Sequence, residues 1–409
     1  LTTMMAKGPP PPSVPSCHVH CHSWYGAELR SNRRRSLRRV QARQEARRPR
    51  HQHHRRERQD GGDHYWYVAA RGGAGLPDTG RHRRGVPQGD RRRQAHPVHR
   101  AAALGVHQQL LRQDRRRGLG KSGVVYRGVL PNGLPVAVKR FHAGRDDGSS
   151  EERFMAEVST IGRTHHVNLA RLFGFCFDAD VRALVYEHME PGALDAYLFD
   201  SAAVVGFPTL YGIAVGVARG LRYLHEECQQ KIVHYDVKPG NVLLDVGLAP
   251  KVAGFGLAQL MNRADTHATV SGMRGTPGYA APELWMQVGV TEKCDVYSFG
   301  ILLFEILGRR RSFDEAAPES RRWFPKLAWA KYECGELAEV VDSRGSAEEE
   351  KGRETARSMC EVAFWCVQQL PKARPTMGTV VKMLEGEMYI PPPPNPFQHL
   401  MAVPEVAWT

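Results

Sequence analysis

The stretch I-V-H-Y-D-V-K-P-G-N-V-L-L-D, residues 232–245, decides how the rest of this chain is interpreted. It places Asp236, Lys238 and Asn241 at fixed offsets on a short loop between two apolar segments that we expect to be buried. Phosphoryl transfer needs mainly positioned groups: a carboxylate for the acceptor proton, a cation beside the phosphate and an amide oxygen for Mg²⁺. The loop offers all three, whereas a polar turn between two strands would need none of them.

The same loop resembles the catalytic loop of the protein kinases, H-R-D-x-K-x-x-N, with Tyr235 where that pattern has Arg. The resemblance implies that Asp236 orients and deprotonates the acceptor hydroxyl, that Lys238 steadies the γ-phosphate and that Asn241 holds the metal ion. Lys238, two residues after Asp236, matches the serine/threonine class rather than the tyrosine class. Kinases with Arg before the catalytic Asp use it to grip a phosphorylated activation segment, which a tyrosine cannot do. We therefore expect the activity to depend little on phosphorylation.

A glycine-rich segment, G-L-G-K-S-G-V-V-Y at residues 118–126, fits the pattern G-x-G-x-x-G-x-V. Glycines let backbone amides approach phosphate oxygens without a Cβ in the way. The pattern alone is weak, because nucleotide-binding α/β folds place it before a helix. Here predicted strands follow it around a Pro-Asn-Gly turn, and P-V-A-V-K ends at Lys139, which favours the kinase hairpin. The segment before Gly118 is Arg-rich, so we expect a poorly formed first strand.

The stretches H-H-V-N-L-A-R-L-F-G-F-C and A-L-V-Y-E-H-M-E-P-G-A-L are similar to the plant receptor-like serine/threonine kinases. This resemblance makes Tyr186 the gatekeeper and residues 187–189 the adenine-contacting hinge. It also pairs Lys139 with Glu157 on a predicted helix over 151–163, although an ordinary surface Glu is the alternative. Leu243 is expected beneath the adenine. The nucleotide-binding residues that the resemblance implies are Gly118, Gly120, Gly123, Val125, Ala137, Lys139, Glu157, Glu187, Met189 and Leu243.

One position departs from the family pattern at the metal site. The segment K-V-A-D-F-G-L-A of the family reads K-V-A-G-F-G-L-A here, so Gly254 stands where the magnesium-binding Asp belongs. Glycine has no side-chain oxygen for a hard cation, which leaves Asn241 as the expected metal residue. Removal of one electrostatic stabiliser of this kind costs a factor of about 10²–10³ in rate. We therefore expect a recent loss of the carboxylate, which one base change would produce, a sequence error or an impaired enzyme.

Motifs of the C-terminal half fit the same family. S-G-M-R-G-T-P-G-Y-A-A-P-E, residues 271–283, is implied to close the activation segment and places Thr276 at the acceptor-peptide site. Its last residue, Glu283, should pair with Arg374 of A-R-P-T-M. Asp295, in C-D-V-Y-S-F-G, should brace the catalytic loop from a buried helix. We expect Pro391–Pro394 to end the fold and leave a short tail.

The formal net charge of +14 is divided unevenly along the chain. Residues 1–117 hold 25 Arg and 1 Lys against 8 acidic residues, a net charge of +18, whereas residues 118–409 hold 31 basic against 35 acidic residues. The globular part therefore gives no electrostatic case for nucleic-acid binding. Eight scattered cysteines indicate a reducing compartment. Cys17 and Cys21 lie among histidines, but their Pro- and Arg-rich flanks favour chance composition over a zinc site.

Residues 1–117 show neither helical nor strand periodicity, and their Arg-, His- and Pro-rich composition predicts disorder. The written frame contains no secretory signal and no run of about 18 apolar residues that would cross a membrane. The composition is also typical of GC-rich coding DNA translated out of frame. In a shifted frame, codons 75–90 permit an apolar run ending in charge, which resembles the end of a transmembrane helix. Codons 97–113 permit a segment similar to the one that precedes the glycine loop in plant receptor-like kinases.

The sequence thus predicts an α+β bilobal kinase fold with a basic, disordered or mis-framed segment at 1–117, a kinase domain at 118–388 and a Pro-rich tail at 389–409. The small lobe is expected over about 118–190 and the helical lobe over about 191–388. The first functional hypothesis is an ATP- and Mg²⁺-dependent serine/threonine kinase that acts on proteins. It would lie at the plasma membrane through the lost span, or in the cytoplasm if the written frame is correct. The alternative is a pseudokinase that binds nucleotide and signals through its conformation.

Overall fold

The computed structural model of the chain describes residues 66–69, 95–98, 119–120, 123–130, 132–141, 148–162, 164–177, 181–200, 205–265, 267–268, 274–287, 289–341 and 350–400. These residues form the predicted bilobal α+β fold, with a small lobe built on an antiparallel sheet and one helix and a larger, mainly helical lobe.

The small lobe contains an antiparallel sheet with strand order β2-β1-β6-β7-β5-β4-β3. β3 is described over only two residues, and the segment before it, where a poorly formed strand was expected, lies outside the described residues. The predicted hairpin turn joins β4 and β5, where Gly133 has a φ of 82° and the Leu134 amide donates to Asn132 Oδ1 at 3.1 Å. The strands are β1 (Trp66–Ala69), β2 (Ala95–Val98), β3 (Leu119–Gly120), β4 (Gly123–Val129), β5 (Pro135–Phe141), β6 (Leu172–Phe177) and β7 (Arg182–Glu187).

The strands β1 and β2 lie within residues 1–117, for which the sequence predicts no strand, so that expectation was wrong at these two places. β1 pairs with β2 on one side and with the edge of β6 on the other, Trp66 standing opposite Cys176. An edge strand accepts another strand through its backbone N–H and C=O groups, so side-chain periodicity gave no signal. The remainder of 1–117, with the Cys17 and Cys21 cluster, lies outside the described residues, and its disordered or mis-framed nature stays a prediction.

The helix α1 (Gly148–Ile161) belongs to the small lobe, and the other helices build the large one. Short strands flank the loops of the large lobe: β10 pairs with β11 and with β8, and β9 pairs with β12. The helices are α2 (Leu194–Phe199), α3 (Phe207–Arg222), α4 (Pro282–Met286), α5 (Lys293–Gly308), α6 (Glu319–Arg322), α7 (Phe324–Glu333), α8 (Glu350–Cys366) and α9 (Met377–Leu384). The strands are β8 (Gly192–Ala193), β9 (Lys231–Val233), β10 (Val242–Leu244), β11 (Pro250–Val252) and β12 (Gln259–Met261).

The centre of the large lobe is α5, whose residues from Cys294 to Leu307 are all buried. A helix that is buried on every side needs apolar residues all round rather than a single apolar stripe, and this sequence supplies them. At Gly300 a Cβ would lie 2.7 Å from both Cys366 Cβ and Val367 Cγ1, so only glycine allows α8 to pack this closely. The helix therefore provides a rigid base for the residues at its N-terminus.

The packed domain extends past the predicted boundary at residue 388. Trp365 Nε1 donates to the Pro391 carbonyl at 2.9 Å, and Gln368 Nε2 donates to the Pro394 carbonyl at 2.9 Å. The Phe397 side chain is fully buried, with its ring centroid 4.7 Å from that of Trp323. Prolines end helices, but their carbonyls still accept hydrogen bonds. The predicted boundary at residue 388 was wrong because the last helix ends before the packed part of the chain does. Residues 401–409 lie outside the described part.

The predicted ion pair between Glu283 and Arg374 is present and buried. The guanidinium binds both carboxylate oxygens, at 2.6 and 2.9 Å, and its three remaining N–H groups donate to the carbonyls of Gln368, Lys293 and Gln369. All five donors are thus satisfied, as a charge removed from water requires. This pair ties the end of the activation segment to the base of the large lobe.

Candidate active site

The catalytic loop follows β9 and is held from below by Asp295, in the first turn of α5. Asp295 is fully buried, and its carboxylate accepts the backbone amides of His234 at 2.7 Å and Tyr235 at 2.8 Å. It also accepts His225 Nε2 at 2.9 Å from the π-helical turn Tyr223–Glu227 that continues α3. A buried carboxylate with several donors is a strong local anchor. The predicted bracing role of Asp295 is confirmed.

The His234 side chain fixes the loop from inside. Its Nε2 donates to the Ala253 carbonyl at 2.9 Å, and its Nδ1 accepts the Asp236 amide at 3.1 Å. These two partners define the tautomer protonated at Nε2. The edge of the ring also packs against Phe255, with the centroids 4.8 Å apart. The loop is therefore joined to the segment that contains Gly254.

The three predicted catalytic side chains meet in one cluster. Lys238 Nζ donates to both Asp236 oxygens, at 2.8 and 3.1 Å, and Asn241 Nδ2 donates to Asp236 Oδ2 at 2.8 Å and to its carbonyl at 2.7 Å. Thr276 joins them, because its hydroxyl donates to Asp236 Oδ1 at 2.5 Å and accepts Lys238 Nζ at 2.7 Å. The Asp236 side chain retains 14% exposure, so an acceptor hydroxyl has access to it. The arrangement suits proton abstraction beside a fixed cation.

A second cluster lies in the small lobe. Lys139 on β5 pairs with Glu157 Oε1, as predicted, and the carboxylate is 99% removed from solvent, which excludes the alternative of a surface Glu. The Tyr186 hydroxyl donates to the other oxygen, Glu157 Oε2. Burial, together with this carboxylate, raises the pKa of the Tyr186 hydroxyl well above its usual value, so it remains a hydrogen-bond donor. The sequence predicts Tyr186 as the gatekeeper but does not predict this contact.

Backbone registers place the other predicted nucleotide-binding residues along β4, β5 and β7. Val125 stands opposite Lys139, and Ala137 stands opposite Tyr186. At Gly123 a Cβ would lie 2.2 Å from the Arg140 carbonyl oxygen, so the hairpin requires glycine there.

The rest of the predicted nucleotide set is more dispersed. The Glu187 carboxylate turns to the Arg171 amide at 2.8 Å and to Lys251 Nζ at 3.3 Å. Met189 is buried, and Leu243 lies on β10 opposite Ala193. Gly120 belongs to β3, whereas Gly118 lies outside the described residues. The nucleotide-binding roles of the set remain predictions.

At the predicted metal site, Gly254 has φ 83° and ψ 43°, a left-handed conformation. A Cβ built there would lie 2.6 Å from both Cγ and Oδ1 of Asn241, so the Asn241 amide fills the space that a side chain at 254 would take. Asn241 is neutral, and Asp236 already has three partners. Within the described residues no group of three His, Cys, Asp or Glu side chains could hold a metal ion. These residues do not fit the Mg²⁺ that the resemblance implies.

The segment Gly254–Gly256 lies between the two clusters. Gly254 contacts Asn241, whereas a Cβ at Gly256 would lie 3.0 Å from Glu157 Oε1. The helix α1 packs against the following turn, Phe255–Leu257. The segment therefore contacts the catalytic loop through Gly254 and the helix α1 through Gly256.

The fold, with its strand lysine paired to a helix glutamate and its Asp-Lys-Asn loop, defines a protein kinase domain. Residues 111–384 match the family described as protein tyrosine and serine/threonine kinase, and the chain belongs to this family. Its members use ATP with Mg²⁺. Membership, fold and the plant receptor-like resemblance are as the sequence predicts.

Plant relatives are similar over about two thirds of the chain. A G-type lectin S-receptor-like serine/threonine-protein kinase of Arabidopsis thaliana is 45% identical over 271 residues, which are 66% of this chain and 32% of the relative. The rust resistance kinase Lr10 of Triticum aestivum is 41% identical over 301 residues, 71% of this chain and 46% of the relative. The chain thus spans a third to a half of the length of such relatives. Among the described helices none is both long and apolar enough to cross a bilayer.

Proposed function

We propose that this chain transfers the γ-phosphoryl group of ATP to serine or threonine hydroxyls of protein substrates, in line with the name serine/threonine-protein kinase that its Arabidopsis relatives carry. The observation that supports the proposal most is the cluster of Asp236, Lys238, Asn241 and Thr276. A threonine that bridges the carboxylate and the ammonium suits a site whose acceptor is another aliphatic hydroxyl.

In this mechanism the acceptor hydroxyl donates to the exposed face of Asp236. As its oxygen bonds to the γ-phosphorus, the hydroxyl proton passes to the Asp236 carboxylate and the bond from phosphorus to the β,γ-bridging oxygen breaks, releasing ADP. Lys238 offsets negative charge on the transferring group. Lys139, oriented by Glu157, neutralises the α- and β-phosphates. These side chains therefore contribute to phosphoryl transfer by positioning the reacting groups and by supplying fixed charge.

Gly254 supports a second candidate function, that of a nucleotide-binding scaffold. Such a protein would transfer phosphate too slowly for phosphorylation to be its signal. The carboxylate missing at 254 would act in the transition state, whereas Lys139 and the hinge act in binding. Nucleotide binding and phosphoryl transfer are therefore expected to separate in this protein.

The test compares the chain with Asp236→Asn, which keeps the shape of the side chain and loses its basicity. We expect phosphate incorporation into a generic Ser/Thr protein substrate by the chain and at least a ~100-fold loss in the variant. Nucleotide binding should be equal in both. Binding without any incorporation, in either form, would reject the kinase proposal in favour of the scaffold.

Membrane attachment belongs to the same proposal. We infer that the natural reading frame upstream of residue 118 encodes a membrane span and a juxtamembrane segment, since the relative named as a receptor-like kinase matches this chain over only 32% of its own length. Tryptic peptides from tissue should then include the shifted-frame sequence of codons 97–113. Abundant peptides of the written Arg-rich sequence over 60–117 would refute it.

A further inference from the structure

Tyr235 is the residue at which the catalytic loop departs from the kinase pattern, and the structure gives its ring a partner. The residue is 1% exposed, and its backbone has a left-handed φ of 63°. Its hydroxyl is buried and has no hydrogen-bond partner among the described residues, and burial raises the pKa of the phenol. The guanidinium of Arg274 lies over the ring, 5.7 Å from its centroid. The face of the ring, not the hydroxyl, therefore makes the polar contact of this residue.

Arg274 also contacts the first part of the activation segment. Its Nη1 donates to the carbonyl of Leu257 at 3.0 Å, directly after the segment that contains Gly254. One half-buried guanidinium thus joins three parts of the chain: the catalytic loop at 235, the first part of the activation segment at 257 and its later part at 274. A charged donor on a carbonyl is among the stronger hydrogen bonds in proteins.

The position of Arg274 relative to Thr276 connects this contact with the catalytic cluster. Between them Gly275 has a φ of 96°, and a Cβ there would lie 3.1 Å from the Tyr235 carbonyl oxygen. The two backbones therefore approach closely at this point. The contact of Arg274 with Tyr235 therefore lies beside the hydrogen bond from Thr276 to Asp236. A displacement of Arg274 would shift Thr276 relative to Asp236.

We propose that Arg274 is a positioning residue, whose guanidinium clamps the activation segment onto Tyr235 and presents Thr276 to Asp236 and Lys238 without the help of a phosphate group. An arginine at 235 would repel Arg274 unless an anion lay between them. A neutral aromatic face attracts the guanidinium directly. Tyr235 is then a replacement that removes the need for the anion, and not merely a lost phosphate site. The catalytic consequence of the clamp rests on the proposed function, whereas the clamp itself does not.

The test uses dephosphorylated protein and compares Arg274→Met with Arg310→Met. Arg310 is a matched control, because its guanidinium lies over the Phe324 ring at 5.3 Å and donates to one carbonyl, that of Arg321, at 3.1 Å, but far along the chain from the loop. The first readout is hydrogen exchange at the Tyr279 and Ala280 amides, which both donate to the Thr276 carbonyl at 3.1 Å. We expect exchange there to be roughly 10-fold faster in Arg274→Met and unchanged in Arg310→Met.

The second readout separates positioning from general damage to the fold. The KM for an acceptor peptide should rise about 10-fold in Arg274→Met while the nucleotide Kd stays within about two-fold, since the contacts of Arg274, with Tyr235 and Leu257, involve neither Lys139 nor Glu157. Tyr235→Leu should give the same defect, and the double variant should add little to either single one. Tyr235→Phe keeps the ring face and should keep the coupling. If Arg274→Met does not fold, Arg274→Lys tests the same contact, because it keeps the charge and loses the planar stack.

Equal exchange in Arg274→Met and Arg310→Met, or additive effects of the 235 and 274 variants, would overturn the clamp even if the protein is an active kinase. Faster exchange at 279 and 280 without phosphoryl transfer in any form would support the clamp and reject the kinase function. The two failures are therefore distinguishable.

Discussion

Replacement of Gly254 by Asp restores the carboxylate that the family pattern has at this position. The structure allows its effects on the free energy of unfolding and on turnover to be estimated. The residue would have to hold a left-handed φ of 83°, which costs most L-residues about 1–2 kcal/mol and Asp somewhat less. The Asn241 amide would have to rotate away from the new Cβ, at the expense of hydrogen bonds to Asp236 worth ~1–2 kcal/mol. We expect the free energy of unfolding to fall by about 2–3 kcal/mol in total.

The effect on catalysis has the opposite sign. A fixed electrostatic stabiliser of the transferring phosphoryl group contributes a factor of about 10²–10³ in rate. We therefore expect Gly254→Asp to raise turnover about 100-fold although the protein becomes less stable. ATP affinity should change by no more than a few-fold, because Lys139, Glu157 and the hinge do not contact residue 254.

The assay is phosphate incorporation into a generic Ser/Thr substrate, with nucleotide binding measured in parallel. Gly254→Asn is the control, since it has the same shape and steric demand as Asp without the charge, and it should lose stability without gaining turnover. Equal turnover in the unsubstituted protein and the Gly254→Asp variant, at a level abolished by Asp236→Ala, would refute the reasoning. Another residue would then supply the missing oxygen.

Three further outcomes are expected. Glu283→Gln leaves the buried Arg374 charge uncompensated and should lower the free energy of unfolding in urea by about 3–5 kcal/mol; a loss below ~1 kcal/mol would contradict the buried pair. Tyr186→Phe removes a donor from Glu157 and should raise the KM for ATP roughly 5-fold with little change in kcat for a bound nucleotide, whereas an unchanged KM would mean that Lys139 alone orients the carboxylate. Turnover should stay within about 3-fold, and not fall about 100-fold, when alanine replaces the hydroxyl residues of the activation segment, which lie outside the described residues: Thr266, Thr269 and Ser271.

The sequence predicted the elements whose chemistry is written in short, ordered motifs. Asp236, Lys238 and Asn241 lie within six positions of one another, so their meeting on one loop follows from local structure. Glu283 with Arg374, and Lys139 with Glu157, are distant in sequence, but each partner belongs to a motif whose role the family resemblance supplies. These pairs were therefore predictable, and the structure confirms them.

Contacts between residues without such a motif could not be predicted. Arg274 meets Tyr235 across 39 positions, and nothing in either local pattern indicates the other. The Tyr186 hydroxyl could have been expected to need a partner in a buried strand, but not which one. The addition of β1 to the edge of β6 uses backbone groups, which every sequence has. Phe397 is one apolar residue after a proline run, too little for a periodic signal, and yet it is fully buried.

The burial of α5 from Cys294 to Leu307 has a consequence for how this molecule moves. Asp295 is in the first turn of that helix and accepts two backbone amides of the catalytic loop. Asp236, which follows them on the loop, is therefore held in a fixed position relative to the large lobe. The Lys139–Glu157 pair, by contrast, is attached to a seven-stranded sheet and a single helix. Opening and closing should therefore be a displacement of the phosphate-binding side toward a fixed base. A spectroscopic probe on α1 would report that motion, whereas the same probe on α8 would serve as the reference point.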